Sequence, residues 1–156
     1  MKKHLLTLLI SFITLGSFAQ TPQGYSVYHN QRFDFCVLYP HTFTKGIEST
    51  NGDGRSFMMD NGAGRMLVYG AWQMPGKSLK EDYALAQKSG EKITYKALFK
   101  NSYVVSGINK GRIFYHKTVL RKDLLITVSF DYLPGEKKRF DQIIKTVTKS
   151  FPACNK

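Results

Sequence analysis

Between residues 92 and 132 the chain carries four alternating segments joined by three-residue links, and this spacing restricts the fold more than any other feature. The segments are Lys92–Phe99, Tyr103–Ile108, Arg112–Leu120 and Leu124–Tyr132. In the first, Ile93, Tyr95, Ala97 and Phe99 oppose Lys92, Thr94, Lys96 and Lys100. In the last, Leu124, Ile126, Val128, Phe130 and Tyr132 oppose Leu125, Thr127, Ser129 and Asp131. A parallel pair needs a crossover of a dozen or more residues, so links this short demand hairpins. The expectation is an antiparallel meander.

The remaining elements follow from punctuation and period. Tyr25–Asn30 and Arg32–Tyr39 read as two strands about a polar Asn-Gln turn; Phe33, Phe35, Val37 and Tyr39 form one face of the second, and Pro40 ends it. Residues 42–48 read as a weak edge strand. Asn51-Gly52-Asp53-Gly54 and Asn61-Gly62-Ala63-Gly64 are turn signals on either side of Arg55–Asp60. Arg65–Trp72 then sets Met66, Val68 and Trp72 against Leu67, Tyr69 and Ala71, the pattern of a central strand covered on both faces. After Pro75-Gly76, Ser78 and Glu81 make a capping box for a helix over Leu79–Ser89, with Gly90 as its stop. After Pro134-Gly135, the stripe Phe140, Ile143, Ile144, Val147 and Phe151 predicts a helix over Glu136–Phe151, stopped by Pro152. The fold class is α+β, an antiparallel β-sheet flanked by helices, and residues 25–156 form a single domain.

Lys2 and Lys3, the uncharged run Leu5–Phe18 and the small-x-small site Ser17-Phe18-Ala19 describe a secretory signal peptide of Gram-negative type over residues 1–19. The 14-residue run falls short of the roughly 20 apolar residues of a membrane span, so no transmembrane anchor is expected after cleavage. Residues 20–24 read as a flexible lead-in. The expected location is periplasmic or secreted, where genomic DNA is not a client; no nucleic-acid partner is expected. Without Lys2 and Lys3, 21 of the 23 basic residues remain against 11 acids, a net charge of +10. That excess suits anionic surfaces and acidic partners, and equally keeps a domain soluble.

Cys36 and Cys154 are the chain's two cysteines. In an oxidising compartment an even pair reads as a disulfide, here tying the end of the chain to an early strand. The alternative is two separate thiols, one of them a small apolar filler.

The block Asn30-Gln31-Arg32-Phe33-Asp34-Phe35 through Tyr39-Pro40 resembles the opening hairpin of the PsbP-like superfamily. A mid-chain helix, late hairpins containing Val105-Ser106-Gly107 and a last helix ending Ser150-Phe151 extend the resemblance over residues 25–152. It implies an α/β/α sandwich. It also implies a non-enzymatic role, since the best-known members, a photosystem II extrinsic subunit and a Ran-binding import factor, are binding or assembly factors. The chain has no chloroplast-type leader or Ran-pathway context, so neither specific role carries over.

Chemistry-bearing patterns are sparse. His29, His41 and His116 are scattered without helical i, i+4 spacing or a Cys-x-x-Cys companion, so neither metal nor cofactor is expected. Asn51, Asp53, Asp60 and Asn61 are candidate binding-loop residues, with Trp72 at a pocket mouth. Their run lacks the Asp-x-Asp-x-Asp-Gly cadence of a calcium loop, and tight turns account for the same residues. Ser106 is not in a Gly-x-Ser-x-Gly elbow, and His116 and Asp131 lie on neighbouring strands; no catalytic residue is assigned. Gly62-Ala63-Gly64 precedes a strand instead of a helix, so it offers no anion cradle. Lys137, Lys138, Arg139, Lys145 and Lys149 on the last helix, joined by Lys88, Lys92, Lys96, Lys100 and Lys110, form the candidate basic partner surface.

The reading is an exported, non-catalytic ligand-binding or protein-interaction module of the bacterial cell envelope, monomeric, whose partner is an envelope protein or an anionic surface. One alternative is a small periplasmic hydrolase with its site in the Gly-rich loops, in a cleft around Trp72, Asp53, Asp60 and His116. The other is a structural or stress-linked envelope factor without a small-molecule ligand.

Overall fold

The hairpin links close as their length demands. The computed structural model of the chain describes residues 21–88 and 92–154; the expected leader, Gln20 and the Gly90 helix stop lie outside them. The elements are β1 (Tyr25–Asn30), β2 (Phe35–Pro40), β3 (Phe43–Glu48), β4 (Gly54–Met59), β5 (Gly64–Trp72), α1 (Leu79–Ala86), β6 (Lys92–Leu98), β7 (Ser102–Asn109), β8 (Arg112–Arg121), β9 (Leu124–Tyr132) and, after a 3₁₀ turn at Pro134–Glu136, α2 (Lys137–Ser150). Among the described residues the main sheet runs β3-β4-β5-β9-β8-β7-β6, antiparallel throughout, and β1-β2 form a separate two-stranded sheet. The meander appears as β6 to β9. Its last strand then pairs with β5 over nine residue pairs from Gly64↔Tyr132 to Trp72↔Leu124.

One face of the main sheet is dry. Met66, Val68, Ile126, Val128 and Phe130 are fully buried there, beneath Phe140, Ile143 and Val147 of α2 and Phe35 and Val37 of β2. Full burial of each such side chain stabilises the fold by about 1.5–3 kcal/mol. The Tyr132 and Phe140 rings stack at 4.2 Å. Phe140 also crosses Gly64 so closely that a Cβ there would sit 2.3 Å from its ring, which is why this position is glycine.

The opposite face is only partly covered. Both bonds of the Ser78/Glu81 capping box are present, and α1 lays Leu79, Tyr83 and Ala86 on Tyr103, Val105 and Phe114. Eight residues span only about 12 Å, so α1 covers β7 and β8 and stops short of β5. The sequence pattern predicts cover on both sides of β5; instead Leu67 is 38 % and Tyr69 37 % exposed. The two edges of the main sheet are blunted. The β3–β4 register shifts between Lys45 and Glu48, the β6–β7 register shifts between Ile93 and Tyr95, and β6 carries Lys92 and Lys96. Bulges and lysines at an edge discourage pairing with another chain.

A buried polar hub fastens the β1-β2 hairpin. Asn30, fully buried, donates to Gly52 O at 2.7 Å and to the Tyr28 hydroxyl at 3.0 Å, while its Oδ1 accepts from Phe33 N at 2.9 Å. Tyr28 in turn donates to Glu48, and Arg55 pairs with Glu48 at 2.7 Å and lies over the Tyr28 ring. Burial, together with the Glu48 contact, pushes the Tyr28 phenol up to about 12, so it remains a donor. The turn ahead of β2 departs from the extended Arg32–Tyr39 reading. Asp34 adopts a left-handed conformation at φ 46°, Arg121 donates to the Phe33 and Asp34 carbonyls, and β2 begins only at Phe35.

The chain's end returns to this hairpin. Cys36 N donates to Pro152 O at 3.2 Å, and Cys36 and Cys154 form a disulfide spanning 118 residues. By the chain-entropy relation, closing a loop of that length removes about 5 kcal/mol of freedom from the unfolded chain.

Candidate functional site

The Gly-rich loops are separated by the strand between them. Asn51 and Asp53 precede β4, whereas Asp60 and Asn61 follow it. Six extended residues at about 3.3 Å each hold the two turns roughly 17–20 Å apart. Their oxygens are also committed. Asp53 meets Arg32 Nη1 at 2.7 Å and Asn51 Nδ2 at 2.5 Å, and Asn51 Oδ1 accepts from Asp53 N at 3.2 Å. Asp60 accepts from Thr44, and Asn61 Oδ1 accepts from Ala63 N at 3.0 Å. The strand thus keeps the two sets of oxygens from meeting at one site.

Trp72 closes β5 at the Asn51–Asp53 end, edge-on to Phe33 at 5.6 Å between ring centroids, and the Arg32 guanidinium lies over the Phe33 ring at 5.0 Å. Trp72 lines neither of the two concavities described next.

The smaller concavity, about 360 Å³, lies between α1 and the open sheet face. Tyr69, Asp82, Tyr103, His116, Thr118 and Thr127 line it together with the apolar Ala71, Leu85 and Leu125. The Thr118 and Thr127 hydroxyls meet at 2.9 Å, and Tyr103 hydrogen-bonds to Thr118. Burial pushes the Tyr103 phenol up and the His116 imidazole down, the latter partly offset by the field of Asp131. A neutral His116 offers one donor and one acceptor. Of the four residues a hydrolase cleft would unite, only His116 is here. Asp131 is held by Arg112 Nε at 2.5 Å and approached by Arg65 at 3.9 Å, and the Ser106 hydroxyl donates to Phe114 O at 2.7 Å.

The larger concavity, about 670 Å³, runs between the β1-β2 hairpin and the C-terminal half of α2. Val27 and Leu38 supply its apolar lining, Pro22 and Ala153 border it, and Lys145 and Lys149 stand on its α2 side. In the ladder Val27 pairs with Leu38 and His29 with Cys36, so these four side chains share one face of the hairpin, opposite the face of Tyr28, Phe35 and Val37. The signal in the sequence was a second apolar pair, Val27 and Leu38, on the supposedly polar parity of two strands. It went unread because alternation alone assigns that face to water.

The candidate basic surface divides. Lys138, Lys145 and Lys149 recur at i, i+7 and i+11 along one exposed ridge of α2. Lys137 is paired with Asp141 at 2.7 Å, and Arg139 reaches Glu136 at 4.0 Å and Thr42 at 3.0 Å. Lys92 and Lys96 are on the far edge strand β6. Lys96 bonds Gln87 beyond α1 at 2.8 Å, so it belongs to the other layer. Lys117 was missed from sequence. It donates to Thr148 O at 2.9 Å, where an ammonium favours the negative end of α2, and burial pushes its pKa down.

Among solved structures, the chain is similar to cyanobacterial PsbP (CyanoP) from Synechocystis sp. PCC 6803, with a TM-score of 0.62 and 13 % identity over 87 % of this chain and 96 % of that one. It has the PsbP-like fold. The Ran-binding protein Mog1p of Saccharomyces cerevisiae aligns at a TM-score of 0.48 and 10 % identity, over 79 % of this chain and 84 % of that one. No family model and no curated protein matches the sequence. Among the described residues, no helix is long and apolar enough to cross a membrane.

Proposed function

We propose that this chain is an exported, non-catalytic binding module of the bacterial cell envelope, acting as a monomer after removal of residues 1–19, and that it holds an anionic amphiphilic partner in the groove between the β1-β2 hairpin and α2. The observation that carries this reading is the groove itself: about 670 Å³ with Val27 and Leu38 as its apolar lining and two lysines on one wall. Such a volume is in the range of ligand-sized sites, and the pairing of apolar walls with a few placed charges gives orientation as well as affinity. Lys138 continues the same ridge and extends the positive field beyond the groove. The Cys36–Cys154 bond supports export, since structural disulfides persist in oxidising compartments. Blunted edges on the main sheet support the monomer.

The test is cosedimentation with vesicles of phosphatidylglycerol against vesicles of phosphatidylcholine. Binding to the anionic vesicles is expected, weakening as salt shortens the Debye length from about 10 Å at 0.1 M. Two lysines near an anionic surface contribute about 1 kcal/mol each, so Lys145→Gln with Lys149→Gln should weaken binding roughly thirtyfold. Equal binding to both vesicle types, or no change in the double variant, would overturn the reading. The mass of the protein recovered from periplasm should correspond to a chain beginning at Gln20.

A further inference from the structure

The β1-β2 ladder places His29 directly opposite Cys36, and Pro152 hydrogen-bonded to Cys36 N brings Cys154 over both. A ring nitrogen of His29 and the two sulfurs all lie within 4.8 Å of one another. The left-handed turn residue Asp34 sets its Oδ1 3.0 Å from His29 Nε2. Two sulfurs, an imidazole and an orienting carboxylate are a donor set for a thiophilic divalent cation of the zinc class. We propose that the Cys36–Cys154 disulfide is the oxidised form of a metal site, and that its reduction creates a zinc-binding centre from His29, Cys36 and Cys154, with Asp34 as fourth ligand or as the carboxylate that orients the imidazole.

The chemistry balances with a dithiol reductant. Two electrons and two protons pass from the dithiol to the sulfurs, the S–S bond breaks, and the reductant becomes the disulfide. Zinc then displaces both thiol protons to solvent and takes two thiolates. Zn–S bonds of about 2.3 Å in a tetrahedron require the sulfurs to separate to roughly 3.7 Å. Cys154 can make that move because it lies after α2, outside any helix or strand, while Cys36 stays fixed in β2. His29 is half exposed, so a cation reaches the cluster without unfolding the hairpin. Disulfide and metal are alternatives at the same atoms. The site therefore reports the redox state, and because Cys36 and Ala153 also line the large groove, it does so beside that groove.

The test is titration of the purified full chain with zinc in competition with a chromogenic chelator, before and after reduction by a phosphine that does not itself bind zinc. One zinc per chain is expected after reduction and none before it. His29→Ala, an exposed position that leaves the disulfide intact, should weaken the reduced-state affinity at least tenfold. Asp34→Asn, which keeps the left-handed turn, should weaken it about tenfold, the usual cost of losing an orienting carboxylate. Cobalt in place of zinc should show tetrahedral d–d bands that shift in His29→Ala, which two loose thiolates would not produce. Zinc uptake that ignores oxidation state, or an affinity and cobalt spectrum unchanged in His29→Ala, would overturn the proposal.

Discussion

Asn30→Ala should lower the unfolding free energy by about 4 kcal/mol, more than any other single polar truncation in the hairpin. The side chain is fully buried and serves three groups: Phe33 N, Gly52 O and the Tyr28 hydroxyl. Tyr28 retains Glu48 as a partner after truncation. Phe33 N and Gly52 O lose theirs, and each stranded group costs about 1–3 kcal/mol. Urea unfolding followed by the chain's single tryptophan suits the test, because Trp72 packs on Phe33 beside this turn. At a slope of about 2 kcal/mol/M the midpoint should fall by about 2 M with the slope unchanged. A fall below about 0.5 M would refute the hub as the hairpin's anchor. Asn30→Asp adds a sign. Its carboxylate would face the Gly52 carbonyl, and burial would raise its folded pKa above the unfolded value of about 3.9. Its stability would be intact below that value and lost as pH rises through the folded pKa. The variant should therefore recover toward the parent between pH 7 and pH 4; a flat difference would refute the assignment of the amide.

Two further outcomes follow from packing and burial. Gly64→Ala should cost about 1–3 kcal/mol in urea unfolding, because its methyl would sit 2.3 Å from the Phe140 ring, itself stacked on Tyr132. Burial holds the His116 imidazole below its ordinary 6.5, so the native state disfavours the protonated form. That stability is present above 6.5 and is lost as pH falls from there toward the folded pKa. The Tm of the parent should thus drop more between pH 7.5 and 5.5 than that of His116→Gln, by differential scanning calorimetry.

Much of the architecture was legible because its signals are local. The capping box needs only Ser78 and Glu81 three residues apart, and both of its bonds form. The stripe of α2 was readable from Phe140 to Val147, and the three-residue links left the late strands no choice but hairpins. What escaped depends on contacts distant in sequence. No local pattern says that β9 pairs with β5 across α1, or that β1 and β2 leave the main sheet to pack beside α2. The apolar outer face of β5 looked like a covered surface because Leu67 and Tyr69 carry no record of how short α1 would be. Whether the Asn51 and Asp60 turns meet is not legible locally, because sequence distance hides the length of the extended strand between them.

The sequence by itself determined the element types, their order, the hairpin pairing of the last four strands and the even pair of cysteines, since periodicity, caps and link lengths act within a few residues. Only the tertiary structure decided which faces stay open, that His29 and Asp34 stand beside the disulfide, and that Lys145 and Lys149 share a groove with an apolar lining. Those placements are set by how far α1 reaches and by where the hairpin and the returning tail dock, and burial free energy settles both over the whole chain at once.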